Sequence, residues 1–289
     1  MLKLRATGRG GRFSMLRGLT ESFIGIAAAG DWPARALELL PAATRVRQVQ
    51  HVLAAGRQGR APLRLAFASD LHIGPLTPPR LLDEAFRALA AFRPDVLVLG
   101  GDYVFLDVTP AMAARLTQLV AAVPAPTKVA VLGNHDLWTD NGVIERALEA
   151  GGARVLVNRS LGLPPPHDDV ALVGFDDPWC GAPDAARAFA DVTAPVRVVV
   201  AHAPEGLPFV AGHEAALMLC GHTHGGQVAL PSGPVVVHGA WGRKYPAGLY
   251  DVGRMKLGPA KLYVGRGLGN VDVPLRWNAS PEVALFTIT

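Results

Sequence analysis

One pattern occurs three times between residues 63 and 136: an apolar run, then glycine or serine, then side chains able to bind a cation. Residues 63–69 lead into Asp70-Leu71-His72, residues 96–99 into Gly100-Gly101-Asp102, and residues 128–132 into Gly133-Asn134-His135-Asp136. The run at 96–99 is wholly apolar, as a central parallel strand buried on both faces must be. Residues 79–92 and 110–123 lie between these runs and read as helices, the first with Leu81, Leu82, Ala85, Phe86 and Leu89 on one stripe. Strands and helices in alternation predict an α/β fold, and open sheets of that kind place ligands at the carboxyl ends of strands. Taken singly, each strand end has a plainer reading: Asp70 as a helix cap, Asp102 in an Asx turn. Chance makes one such end easily and three poorly.

The pattern continues further along. A β-branched run at 196–201 ends in His202-Ala203-Pro204, and an apolar run at 215–219 leads into Cys220-Gly221-His222-Thr223-His224-Gly225-Gly226-Gln227. Neutral imidazole is the commonest metal ligand, and glycine lets backbone approach a ligand closely. Five of the nine histidines, His72, His135, His202, His222 and His224, sit at predicted strand ends. His51, His167, His213 and His238 lack that context and read as ordinary surface or core residues, His167 as solvated after Pro164-Pro165-Pro166. Residues 141–150 read as a helix stopped by Gly151-Gly152, with strands at 154–157 and 170–173. The second of these strands leads into the acidic loop at 174–179, read as a wall of the site at most.

The set Asp70, His72, Asp102, Asn134, His202, His222 and His224 offers oxygen and nitrogen donors and no thiolate. That excludes an iron–sulfur or all-thiolate zinc site and suits two divalent ions drawn from manganese, iron, zinc, cobalt or magnesium. Two ions need a bridge, and a carboxylate with two oxygens is the natural one. His135 can give or take a proton near neutral pH, with Asp136 as the carboxylate that orients it.

Composition narrows the partners. Half of the 289 residues are hydrophobic and 18% are charged, which excludes global disorder. The net charge of +4 favours an anionic partner, but no nucleic-acid-binding motif accompanies it. Two cysteines, Cys180 and Cys220, form no disulfide framework, so a reducing cytoplasm is the simpler compartment. Residues 1–60 read as a basic, partly helical extension ahead of a catalytic domain at 61–289. Lys3, Arg5, Arg9, Arg12 and Arg17 precede the apolar run at 23–29, and residues 32–40 and 46–53 have loosely helical spacing around Pro41. This extension is expected to pack on the domain as a helix pair, or to touch the surface of the inner membrane peripherally. No apolar run approaches a membrane-spanning length.

After Gln227 the chain becomes strand-rich, with runs at 235–237, 248–252, 261–264 and 283–288 that would complete a second sheet. This region is basic. Arg254, Lys256, Lys261 and Arg276 read as a solvated face, whereas Arg243, Lys244 and Arg266, beside glycines and turns, are the candidate contacts to a substrate phosphate. Trp241, Tyr245 and Trp277 are read as packing or as pocket walls.

Asp-x-His, Gly-Asp, Gly-Asn-His-Asp, a histidine after a strand and Gly-His-x-His occur in that order from Asp70 to His224, and together they resemble the calcineurin-like metallophosphoesterase family. The tail motifs His224-Gly225-Gly226-Gln227, Gly265-Arg266-Gly267-Leu268-Gly269 and Pro281-Glu282-Val283 are similar to its bacterial branch of small phosphodiesterases and lipid A precursor hydrolases. The resemblance implies a four-layer α-β-β-α sandwich of two mixed sheets. It also implies roles: Asp70, His72 and His224 on a first ion, Asn134, His202 and His222 on a second, Asp102 bridging, and His135 at the leaving group. The implied activity is hydrolysis of a phosphodiester or pyrophosphate by a hydroxide held between the ions, on a small phosphorylated substrate that is either free or lipid-linked. The alternatives are an inactive metal-binding scaffold of the same fold, or a nuclease. No protein partner is implied. One departure stands out: many relatives carry an acid three residues after the bridging Asp, where this chain has Phe105, with Asp107 slightly further along.

Overall fold

A computed structural model describes residue 3, residues 5–255 and residues 258–289. Lys256 therefore lies outside the described residues. Two helices, α1 (Met15–Ala27) and α2 (Trp32–Glu38), precede strand β1 (Arg47–Leu53). A parallel run follows: β2 (Leu63–Ala68), α3 (Pro79–Ala91), β3 (Val96–Leu99), α4 (Pro110–Ala121) and β4 (Thr127–Ala130). Next come α5 (Asn134–Trp138), α6 (Asn141–Ala150), β5 (Arg154–Val155), β6 (Arg159–Gly162), β7 (Val170–Gly174), α7 (Ala185–Phe189), β8 (Val196–Val200) and β9 (Ala215–Cys220). The chain closes with β10 (Ala229–Leu230), β11 (Gly233–Pro234), α8 (Ala240–Lys244), β12 (Gly248–Asp251), β13 (Pro259–Val264) and β14 (Glu282–Ile288).

The strands form two six-stranded mixed sheets, ordered β1-β14-β2-β3-β4-β5 and β12-β13-β9-β8-β7-β6. Side chains alternate across a strand, so each buried strand feeds two cores. Leu65 and Phe67 of β2 face the space between the sheets, with Val98 of β3 and Leu217 and Leu219 of β9. Ala66 and Ala68 of β2 face outward onto Leu82, Phe86 and Leu89 of α3 and Leu116 and Leu119 of α4. The second sheet does the same: Val199 and Met218 face outward, onto Ala188 of α7 and Leu207 of a 3₁₀ turn. The layers are thus helix, sheet, sheet, helix, as the family resemblance implied. Helices α4 and α6 start at side-chain caps: Thr109 accepts from the Met112 amide and Asp140 from the Val143 amide.

One expected helix is a strand. Residues 47–53 form β1, which pairs in parallel with β14 at the edge of the first sheet. Apolar Val46, Val49, Val52 and Leu53 imitate a helical stripe, but the inward positions are Val49, His51 and Leu53, a period of two. A helix there would leave the edge of β14 unpaired, whereas a strand covers it along its whole length. Behind β1, Arg57 is fully buried and forks onto Asp169 at 2.7 and 2.9 Å, with its remaining donors on Ala61 O and Ile288 O. His167, expected in solvent, is buried beside this cluster, 3.0 Å from Arg57 Nη2 and 3.5 Å from Asp95. A proline-rich loop hid the position, because burial there depends on an arginine more than a hundred residues away.

Candidate metal centre

Strands β2, β3 and β4 are parallel neighbours in one sheet, and β8 and β9 are parallel neighbours in the other. Their carboxyl ends meet at one end of the sandwich. Each sheet ties its own strand ends, the Asp70 amide donating to Gly101 O (2.8 Å) and the Gly221 amide to His202 O (2.7 Å), and the His222 amide crosses between the sheets to Asp70 Oδ1 (3.0 Å). Gly267 has φ +65°, and a Cβ there would stand 2.5 Å from Asp70 Cβ, so no larger residue fits without displacing the donor. Five donors themselves hold the left-handed region that non-glycine residues avoid: Asp70 (φ +52°), His72 (+42°), Asp102 (+57°), His222 (+71°) and His224 (+52°). Such strain persists only where the surroundings over-determine it, and it gathers at functional sites.

Six of the seven expected donors fall into compact groups: Asp70, His72 and His224 form one, and Asp102, His202 and His222 another, while His72 and Asp102 form a third with His135. Within the first, His224 Nε2 lies 3.5 Å from Asp70 Oδ1 and 3.1 Å from His72 Nε2. Asp102 connects the groups, with Oδ2 3.6 Å from His72 Nε2 and 3.2 Å from His202 Nε2. Its other oxygen accepts the His135 amide at 2.9 Å.

Hydrogen bonding tests whether these residues fit a cation. His202 Nδ1 donates to Gly100 O at 2.8 Å, which leaves a lone pair on Nε2 facing the Asp102 carboxylate. At this distance a positive charge sits between them: a proton on His202 in the metal-free chain, or a cation that replaces it. Asn134 Oδ1, His202 Nε2 and His222 Nε2 are all buried without a hydrogen-bond partner. Buried polar atoms are ordinarily satisfied, so these unpartnered atoms fit a cation-binding site. The first group is less ready. Arg276 Nη2 lies 3.0 Å from His224 Nδ1, and a guanidinium can only donate. The His224 proton is then on Nε2, aimed at His72, and an ion must displace it.

The charges agree with this picture. Burial holds His72 down to about 4 and His222 down to about 3, so both are neutral ligands at pH 7. Burial opposes a charge on His202, but Asp102 beside it and Asp70 overcome that and raise its pKa well above normal. Burial pushes Asp70 up to about 6, with Asp102 adding to it. Metal affinity is therefore expected to fall below about pH 6, where Asp70 holds a proton that the cation must displace. The loss is up to about tenfold per pH unit for each proton released. Equilibrium dialysis of zinc or manganese at pH 7.5 and 5.0 measures it, and equal affinities would contradict the assignment of Asp70 as a ligand.

His135 faces the same cleft. Its ring lies edge-on to His72 (4.9 Å) and Trp138 (5.0 Å), and burial holds its pKa well below the usual value. Asp136 does not orient that ring, contrary to expectation. Its carboxylate accepts three backbone amides, those of Asp102 (2.8 Å), Tyr103 (2.8 Å) and Gly133 (2.9 Å), and so fastens the β3 and β4 loops together. Phe105, in place of the acid seen in many relatives, is fully buried 5.9 Å from the His72 ring, and Asp107 pairs with Lys3.

Arg243, Lys244 and Arg266 do not line the cleft. Arg266 is paired with Glu282 at 2.7 Å, and Lys244 lies over the Trp241 and Tyr245 rings. A cleft of about 240 Å³ opens over Asp102, Asn134, His135 and His222, and its outer wall is made by Arg12, Arg17, Trp138, Trp179 and His238. Sequence reading missed Arg12, Arg17, Trp138 and His238 as site residues, Trp138 although it ends the helix that carries Asn134 and His135. The only local signal was at Trp179, in the acidic loop read as a wall, and its ring lies 5.4 Å from His222. A larger cavity of about 610 Å³ lies elsewhere, against Leu53, Val196 and Leu217, and carries none of the donors.

An α/β sandwich with clustered carboxylate, amide and imidazole donors at its strand ends is the framework of a metal-dependent phosphohydrolase. The chain belongs to the calcineurin-like phosphoesterase family, whose sequence model matches residues 63–226. Phosphodiesterase YaeI of Escherichia coli K12 is 32% identical over 246 residues, covering 83% of this chain and 87% of that one. The uncharacterized metallophosphoesterase YkuE of Bacillus subtilis is 28% identical over 76% of this chain and 77% of its own. The UDP-2,3-diacylglucosamine pyrophosphatase LpxG of Chlamydia trachomatis is 26% identical over 78% of this chain and 83% of its own.

Proposed function

We propose that the chain hydrolyses a phosphodiester or pyrophosphate bond at a centre of two divalent cations. The observation that carries this is the position of Asp102 Oδ2, shared between an imidazole of each donor group at 3.6 and 3.2 Å. Asn134, His202 and His222 hold one cation through their unpartnered atoms, and Asp70, His72 and His224 hold the other. The cations supply Lewis-acid polarisation of the phosphoryl group and a hydroxide nucleophile at neutral pH. His135, neutral in its buried setting, would donate its ring N–H as a hydrogen bond that stabilises charge on the departing oxygen, while water supplies the proton. Asp136 keeps the two loops in register through its three amide contacts.

The substrate is small, phosphorylated and, on this reading, lipid-linked. Beside the cleft a second cavity of about 350 Å³ shares His222 and His224 and is walled by Val228, Val235, Val236, Val271 and Val273. Val235, Val236 and Val273 are also exposed, an apolar rim in front of a charged centre. The name of the LpxG relative specifies a diacylated sugar nucleotide. The outer face of α1 adds Met15, Leu16, Leu19, Phe23 and Ile26, all exposed and within one third of the helix circumference. That face suits shallow contact with a lipid surface, and no described helix is long and apolar enough to cross a membrane.

An aryl phosphodiester assay with manganese, zinc, cobalt, iron and magnesium added back in turn tests the reaction. Turnover is expected only with metal, at a stoichiometry of two. Alkyl phosphodiesters of increasing chain length test the apolar cavity. Each buried methylene is worth ~0.8 kcal/mol, about fourfold in affinity, until the cavity is full. Flat chain-length dependence would remove the lipid reading, and metal-free turnover would remove the mechanism.

A further inference from the structure

The family match begins at residue 63, yet part of the cleft wall is built by residues far upstream of it. Residues 7–11 run against the segment that follows Asn134-His135-Asp136. The Thr7 amide donates to Trp138 O (3.1 Å), the Gly10 amide to Leu137 O (2.8 Å) and the Gly11 amide to Cys180 O (2.9 Å). Trp138 Nε1 donates back to Gly11 O at 2.9 Å. The backbones approach so closely that a Cβ on Gly8 would stand 1.9 Å from Thr139 O, and one on Gly10 2.8 Å from Leu137 O. Arg9 forks onto the buried Asp176 carboxylate with both bonds at 2.7 Å. The arm is therefore pinned on both sides of the site rather than draped over it.

Beyond these pins the arm presents positive charge to the cleft. Arg12, Ser14 and Arg17 line it together with Asp102, Asn134 and His135. Arg12 lies 5.5 Å above the Trp179 ring and makes no hydrogen bond or ion pair among the described residues. Arg17 reaches Glu21 and Asp272, both at 2.9 Å, but its Nη2 is buried without a partner. The Arg17 guanidinium lies over the Trp138 (5.6 Å) and Phe105 (5.9 Å) rings, which packs α1 against the cleft wall. Ser14 caps α1 by accepting the Arg17 amide, which puts the positive end of that helix at the same mouth.

We propose that the N-terminal arm is a built wall of the catalytic cleft, in which Arg12 binds the non-bridging oxygens of the substrate's phosphate and Arg17, held by Glu21 and Asp272, fixes the arm beside it. The proposal rests on the phosphoesterase reading for the identity of the ligand. It also makes residues 5–17 part of the catalytic unit.

Titration of the metal-free full chain with inorganic phosphate, followed by tryptophan emission, tests the arm directly, because Trp179 lies under Arg12. Replacing a charge-assisted contact is expected to weaken phosphate binding about ten- to hundredfold in Arg12→Ala, with partial recovery in Arg12→Lys. Gly8→Val keeps both arginines but forces the arm off Thr139, and the same weakening is expected. In the metal-loaded enzyme Arg12→Ala raises KM while metal content stays unchanged. Arg12 is exposed, so its replacement leaves the fold intact. Equal phosphate affinity and equal KM in wild type, Arg12→Ala and Gly8→Val overturn the proposal. Arginine-dependent phosphate binding without metal-dependent turnover would instead uphold the arm and overturn the reaction.

Discussion

Asp102→Asn is expected to remove metal-dependent turnover of an unactivated phosphodiester and to release at least one cation per chain. The two Asp102 oxygens have separate tasks. Oδ1 accepts the His135 amide at 2.9 Å, and Oδ2 stands between His72 and His202. Asparagine can keep the first contact through its carbonyl, but then presents an NH₂ to the imidazoles, where a cation needs a lone pair. Changing residues that merely support a metal ligand costs 10–100-fold, and loss of a shared ligand is expected to exceed about a hundredfold in affinity. Burial would push the Asp102 carboxyl up, but His202 and His135 hold it well below the usual range, so it is an anion whenever the protein is folded. Metal analysis by mass spectrometry after dialysis, with a thermal melt as control, measures the effect. Wild-type turnover with two retained ions would remove Asp102 from the centre.

His135→Ala is expected to do the opposite: metal content stays, and turnover falls by ~10²–10⁴ on substrates with poor leaving groups. The His135 backbone, not its ring, contacts Asp102, so alanine keeps that bond. The ring borders Trp138, His72 and Phe105 and lines the cleft. The loss should shrink when the leaving group is an acidic phenol, which departs without a proton. Because burial depresses the His135 pKa, the imidazole stays neutral as pH rises through 6 and 7, and the group adds no alkaline limb to the rate profile there. Equal losses on aryl and alkyl diesters would assign His135 a structural role instead.

The parts of the centre that were legible in the sequence share one property: each is fixed by the end of a local strand. Asp70, Asp102, Asn134, His202 and His222 follow β2, β3, β4, β8 and β9 directly, and the apolar runs announced those strands. The misreadings share another. The helical spacing at 46–53 lost to the free edge of β14, a strand more than two hundred residues away. Asp136 looked like a partner for the adjacent histidine, but three amides from two loops claimed it first. Arg266 looked free beside glycines, but Glu282 neutralises it.

The sequence by itself determined the order of strands and helices, the chemical type of the donors and their placement at strand ends, because hydrophobic periodicity and residue chemistry are local properties. Only the tertiary structure decided which carboxylate stands between the two donor groups, which arginines face the cleft and which are spent in ion pairs. Those outcomes depend on distances of a few ångströms between segments far apart in the chain, and no local pattern encodes them.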